Sequence, residues 1–175
     1  MTIKVRDAAD ADIPAIAAIY AFHVERDTGS FELDAPDAAE MRRRYHDNVA
    51  KGYPYLVVVS ADARVVGYAY ASAYRSRPAY RHTVEDSVYV DAAWSGRGIG
   101  RALLAALIGR CEAGDYRQMV AIIGGAHNAA SIALHATLGF EHAGVLAAVG
   151  RKFDRWLDTV LMQRALGAGA QTPPT

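Results

Sequence analysis

Gly96, Gly98 and Gly100 alternate in the stretch SGRGIGR, residues 95–101, with Arg97 and Arg101 among them. The apolar run VYV ends just before, and the helix former ALLAALI follows. A helix starting here presents amide N–H groups without intrahelical partners, at the positive end of its dipole. Glycines let backbone come close to a ligand, so the stretch suits a phosphate or diphosphate, and the two arginines add charge-assisted contacts. It matches neither familiar nucleotide loop. No Gly-Lys-Ser/Thr follows, and a G-x-G-x-x-G pattern would need glycine where Arg101 or Leu103 stands. Taken alone, the loop reads equally as an anion site and as a turn that merely starts a helix.

Upstream lies TVEDSVYV, residues 83–90. In an alternating strand Glu85 shares a face with Thr83, Ser87 and Tyr89, while Asp86 joins Val84, Val88 and Val90 on the other. A carboxylate on a buried strand is desolvated, which raises its pKa toward a range useful for proton transfer. The plain alternative is a solvated acid on an edge strand. Arg75, with Tyr74, Arg77 and Arg81, precedes this strand, and an arginine clamps a carboxylate with two parallel hydrogen bonds. Arg77 and Arg81 read as a solvated basic turn. Phe31, in TGSFE, is a wall for a pocket or a core aromatic. Cys111 falls four residues after Leu107 on the apolar helix face and reads as an inert core thiol. The six histidines form no HExxH pair, so no metal site is expected.

The elements that must hold these residues follow from periodicity. TIKVRDA alternates as a first strand. Asp10 is a candidate helix cap, with Pro14 tolerated in the first turn and Ile13, Ile16, Ala17 and Tyr20 on one face. A second helix is expected from about Asp37 to Val49. Residues 53–74 hold two β-rich runs around a polar turn, a hairpin. RHTVEDSVYVD is a further strand. Ile99, Leu103 and Leu107, with Leu104 and Ile108, make the helix after the glycines amphipathic. RQMVAIIG is a buried strand, NAASIALHATLGF a helix capped by Asn128 and stopped by Gly139, and WLDTVLMQRAL a final strand. The order β, α, α, β-hairpin, β, α, β, α, β, β predicts a mixed α/β domain with a mainly antiparallel sheet flanked by helices.

The chain's 175 residues suit one domain, expected over 1–166, with the Gly/Ala/Pro/Thr-rich 167–175 as a disordered tail. Nineteen basic and nineteen acidic side chains cancel, which argues against a nucleic-acid partner. The single cysteine excludes an internal disulfide and fits a reducing, cytoplasmic setting. No apolar leader opens the chain, and no run is long enough for a membrane span, so no membrane partner is expected.

The succession SVYVD, GRGIGRALL, VAIIG and NAASIALHATLGF resembles the acetyl-CoA-binding core of the GNAT-type N-acetyltransferases. That family's loop is usually Arg/Gln-x-x-Gly-x-Gly/Ala, and Ser95 departs from it at the first position. The likeness spans residues 2–165. GYPYLVV, GYAYASAYRSRPAYRHTVEDSVYV and VGRKFDRWLD are similar to the phosphinothricin and methionine sulfoximine/sulfone acetyltransferase branch. The resemblance implies acetyl-CoA as co-substrate, a small amino-acid-like amine as acceptor, a role in detoxification or resistance, and a homodimer. It implies that Gly96, Arg97, Gly98, Ile99, Gly100, Arg101 and Asn128 hold the coenzyme, and that Val88-Tyr89-Val90 pairs with pantetheine like an added strand, the Val88 N–H being an oxyanion donor. Glu85 becomes the general base, with Asp86 the weaker candidate. His135 stands where many relatives carry the tyrosine that protonates the leaving thiolate; a structural histidine is the alternative. Arg75, Phe31, Glu85, Asp86 and Ser87 surround the acceptor. Lys152 and Trp156 resemble branch residues near the acceptor or a dimer contact. Two other readings remain: a peptide N-terminal acetyltransferase, and a non-catalytic acyl-CoA-binding module.

Overall fold

The structure, a computed structural model, describes residues 2–125 and 127–174. Among these residues seven strands and four α-helices run in the expected order: β1 (Ile3–Asp7), α1 (Ile13–Arg26), α2 (Ala38–Ala50), β2 (Tyr55–Ser60), β3 (Val65–Ala73), β4 (Thr83–Val90), α3 (Ile99–Ala113), β5 (Gln118–Gly124), α4 (Ala129–Thr137), β6 (Glu141–Lys152) and β7 (Arg155–Ala165). One sheet has the order β1-β2-β3-β4-β5-β7-β6. Every neighbouring pair is antiparallel except β4 and β5. A parallel pair needs a long crossover, and α3 provides it.

The sheet is covered on both faces, so β2 reads as a continuous apolar run. Leu56 and Val58 face α3, whose Ile99, Leu103, Leu104, Leu107, Ile108 and Cys111 complete that core. Tyr55 and Val57 face α1 and α2, against Ile13, Ile16, Tyr20 and Met41. Each such buried aliphatic side chain contributes roughly 1.5–3 kcal/mol of transfer free energy. On the α1 face, tyrosines stack across strands: Tyr55 on Tyr70 with centroids 4.9 Å apart, and Tyr68 on Tyr89 at 5.2 Å.

Asp37 caps α2 by accepting the Glu40 N–H at 2.8 Å. The cap expected at Asp10 is corrected. Asp10 lies in a short 3-10 turn, and its carboxylate turns away to Arg42 and His46 of α2. Asp12 does the local work, accepting the Ala9 N–H at 2.8 Å while Arg6 grips both of its oxygens. Residues 167–174 contain turns, and Arg117 donates to the Thr172 hydroxyl and the Pro173 carbonyl. No helix among the described residues is long and apolar enough to cross a membrane.

Candidate active site

β4 and β5 are in register only from Thr83–Gln118 to Asp86–Ala121. Beyond that point β4 runs on to Val90 and β5 to Gly124 with no shared ladder. The sheet therefore opens, and a cavity of about 940 Å³ fills the opening. Thr83 O accepts from the Tyr74 N–H just past β3, and Asp91 N–H donates to Val66 of β3. Strand alternation then turns the amides of Val88 and Val90 toward the opened edge, where no strand pairs with them. His23 Nε2 already donates to the Val90 carbonyl at 2.9 Å.

Past β4, Gly96 and Gly98 adopt φ of 72° and 79°. That region costs an L side chain roughly 1–2 kcal/mol, which explains two of the three glycines. Gly100 has a different reason: a Cβ there would lie 3.2 Å from Leu134, so it permits α3 to approach α4. Gly98 caps α3 with no side-chain hydrogen bond, leaving the first-turn amides open. Gly96, Gly98, Ile99, Gly100 and Arg101 line the cavity. Arg97 does not, and its guanidinium lies 5.1 Å from the Trp94 ring centre.

Glu85 lines the same cavity on the α1 side. Its carboxyl makes no hydrogen bond or ion pair among the described residues. Burial pushes it up to about 7, with the neighbouring Asp86 charge adding to the effect. Ser87, next along the same face, lines the cavity together with Tyr70. The loop after α1 closes this side. His23 Nδ1 meets Asp27 Oδ2 at 2.6 Å, and buried Lys152 donates to the Asp27 and Ser30 carbonyls at 2.9 and 2.7 Å. Phe31 lines the cavity and sits where a Cβ on Gly150 or Gly124 would collide with its ring.

On the opposite face Asp86 is buried, and its Oδ2 lies 2.9 Å from His135 Nε2. His135 Nδ1 donates to the Ser131 carbonyl at 2.7 Å. Burial opposes charge on the imidazole, but Asp86 and the carbonyl outweigh it, and His135 is held above its ordinary range. Asn128 caps α4 by accepting the Ser131 N–H at 3.2 Å, and it also lines the cavity.

The profile of the Acetyltransferase (GNAT) family matches residues 17–140, which span both sides of this cavity. The chain belongs to the GNAT acetyltransferase family. This GNAT acetyltransferase is 54% identical over 170 residues to a phosphinothricin N-acetyltransferase of Alcaligenes faecalis, covering 97% of the chain and 86% of the relative. It is 42% identical over 173 residues to an L-methionine sulfoximine/L-methionine sulfone acetyltransferase of Pseudomonas aeruginosa, covering 99% and 100%. A solved GNAT superfamily phosphinothricin acetyltransferase from Sinorhizobium meliloti, in complex with AcCoA, is 50% identical with a TM-score of 0.97, over 100% of this chain and 94% of that one. The mixed α/β fold expected from the sequence is the fold of these acetyltransferases.

The cavity thus gathers the residues singled out in the sequence, from Phe31 through Glu85, Asp86, Ser87, Val88, Tyr89 and Val90 to Asn128 and His135. Arg75 stands apart. Its guanidinium lies over the rings of Tyr74 and Tyr80, outside the lining. Among the described residues the cavity's arginines are Arg26, Arg101 and Arg155. Trp156 is 66% exposed on β7. Cys111 is buried, and desolvation pushes its thiol up to about 12, so it is no nucleophile. Among the described residues no group of three or more His, Cys, Asp or Glu is placed to hold a metal.

Sequence reading missed three supports of the site: the Asp86–His135 pair, the His23–Asp27 pair and the burial of Lys152. One signal was available. Asp86 interrupts an otherwise apolar series of Val84, Val88 and Val90, and a buried carboxylate in such a series requires a partner.

Proposed function

We propose that this GNAT acetyltransferase moves acetyl from acetyl-CoA to the amine of a small amino-acid-like substrate of the phosphinothricin, methionine sulfoximine or methionine sulfone type. The reading rests on one observation above others: a half-buried carboxyl at position 85, unpartnered among the described residues and held near pH 7, lining the cavity where β4 and β5 part. A base at that pKa accepts a proton at neutral pH without being quenched by a neighbour.

The first-turn amides of α3, with Gly96, Gly98 and Arg101, suit the coenzyme's diphosphate. The Val88 and Val90 amides suit pantetheine, added along the parted strand. In this arrangement Glu85 takes a proton from the acceptor's ammonium, and the nitrogen lone pair attacks the thioester carbonyl carbon. The Val88 N–H receives the oxyanion. The nitrogen sheds its second proton to solvent, collapse expels the sulfur with the C–S electron pair, and His135 protonates it. An anionic acceptor meets Arg26 and Arg155 in the cavity, so we assign the carboxylate to these rather than to Arg75. Acetylation removes the amine's charge, which is the basis of a detoxifying or resistance role. One buried cysteine suits a cytoplasmic location.

We also infer a homodimer. The β6–β7 hairpin exposes Val145, Leu146, Val149, Phe153 and Trp156, a patch that a second copy would cover.

A thiol-release assay with acetyl-CoA tests the function against phosphinothricin, methionine sulfoximine, methionine sulfone, polyamines and short peptides. Turnover on the first three is expected. Turnover on peptides alone overturns the substrate class, and acetyl-CoA binding without turnover on any amine makes the chain a binding module.

A further inference from the structure

β4 and β5 part at Asp86–Ala121. Asp86 therefore sits at the apex of the opening, directly beside the place where the strands stop pairing. Its side chain is 2% exposed and that of His135 is 5% exposed, yet both residues line the cavity. Their hydrogen bonding fixes where protons lie. The Ser131 carbonyl only accepts, so Nδ1 of His135 carries a hydrogen. Nε2 faces Asp86 Oδ2 at 2.9 Å, so a second proton lies between those two atoms. The pair holds one proton more than a neutral imidazole beside a carboxylate. The other carboxylate oxygen, Oδ1, is buried with no hydrogen-bond partner. An acceptor left in that state costs about 1–3 kcal/mol.

We propose that Asp86 is a positioning residue for acetyl transfer, which holds the His135 imidazole, at the apex of the parted strands, as the proton donor to the departing sulfur. This rests on the acetyl-transfer reading above. When the C–S bond breaks, its electron pair goes to sulfur, and the Nε2 proton leaves Asp86 for that sulfur. Of the two protons the acceptor's ammonium loses, one balances the proton taken up by sulfur and the other goes to solvent. His135 Nε2 is then reprotonated from solvent while its Nδ1–H bond to the Ser131 carbonyl holds the ring, and the hydrogen bond to Asp86 re-forms. Phe140 packs edge-on against the imidazole at 4.9 Å and keeps it from swinging out.

The other charged or titratable groups around the pair are few. β3 and β5 set Ala71 and Ala121 beside Asp86 in the register. α3 contributes Cys111, whose thiol stays protonated. On β4 itself, Glu85 points to the opposite face, and its carboxyl feels the Asp86 charge. Asp86 thus acts on the two proton carriers of the reaction at once. Removing its charge disfavours the protonated form of both, so both titrate at lower pH.

Asp86→Asn keeps the shape and an acceptor for Nε2–H but removes the charge. The imidazole resonances of His135, titrated by NMR, are expected above the ordinary histidine range in the wild type and lower by about one unit or more in the variant. In steady-state kinetics kcat is expected to fall at least about tenfold. KM for acetyl-CoA stays within about threefold, because the coenzyme contacts remain. Both limbs of the kcat–pH profile shift to lower pH. In a His135→Gln background, Asp86→Asn adds no further loss at the alkaline limb. A fall in kcat with unmoved limbs, or an unmoved His135 titration, overturns the proposal and leaves Asp86 a structural residue. Should Asp86→Asn fail to fold, the wild-type titration decides, since a His135 that titrates at or below about 6.5 contradicts it. A wild type that acetylates no amine sinks the functional reading, while the NMR titration still judges the pair.

Discussion

On the α1 side of β4, Glu85 shares its row with Ser87 and Tyr89; on the α3 side, Asp86 shares its row with Val84, Val88 and Val90. The two carboxylates are chain neighbours in opposite circumstances. Glu85 is half-buried with no partner among the described residues, and its pKa rises to about 7. Asp86 is buried deeper yet bonded to an imidazole. Burial alone does not decide what an acid does. A desolvated carboxyl without a counter-charge becomes a base that works near neutrality, whereas one with a counter-charge becomes a holder of someone else's proton.

The contrast is open to breaking. If Glu85 is the base proposed above, Glu85→Gln removes it and leaves the α3 and Val88–Val90 amides in place, so kcat is expected to fall about 10²–10⁴-fold. Acetyl-CoA should still raise the variant's melting temperature as it does the wild type's; loss of that shift would mean Glu85 builds the coenzyme site instead. Gly98→Val forces a branched side chain to φ of 79° at the start of α3. The strain of about 1–3 kcal/mol must be relieved by moving the amides, so acetyl-CoA affinity drops about tenfold or more, read by calorimetry.

Lys152→Met removes two hydrogen bonds that pin the 27–30 loop in the cavity wall. A loss of about 1–3 kcal/mol in denaturant unfolding, with a raised KM for the amine and an unchanged KM for acetyl-CoA, is expected. His23 gives a pH test. Its folded pKa is raised: burial opposes the charge, but Asp27 and the Val90 carbonyl outweigh it. A raised base stabilises fully below its unfolded pKa of about 6.5, and that contribution is lost as pH rises through the folded value. The melting-temperature gap between wild type and His23→Gln should therefore narrow from acid to alkaline pH. The smallest effect belongs to Tyr68, whose hydroxyl is fully buried with no partner. Tyr68→Phe should be neutral or stabilising by up to about 1 kcal/mol, read as an unchanged or higher melting temperature.

Much of this was legible from residue type and spacing. Ile99, Leu103, Leu104, Leu107 and Ile108 announce α3 by period, and Asn128 and Gly139 bracket α4 as written. The alternation of β4 by itself puts Glu85 and Asp86 on opposite faces. What was not legible depends on how distant segments cross. His135 lies 49 positions from Asp86 and meets it only because α4 crosses the apex of the opened sheet. Lys152 lies 125 positions from Asp27 and is buried only because the β6–β7 hairpin folds back over the loop after α1. Charge and proximity along the chain point Arg75 toward the site, but the turn beyond β3 sends it to the rings of Tyr74 and Tyr80. Local pattern makes Asp10 a cap, but Arg42 and His46 of α2 compete for its carboxylate.

The central claim is that Glu85, and no other group, removes the acceptor's proton. The pH dependence of kcat at saturating acetyl-CoA and amine tests it most directly. An ascending limb near 7, present in the wild type and absent in Glu85→Gln, is the predicted result. The same limb surviving in Glu85→Gln at undiminished rate would contradict it.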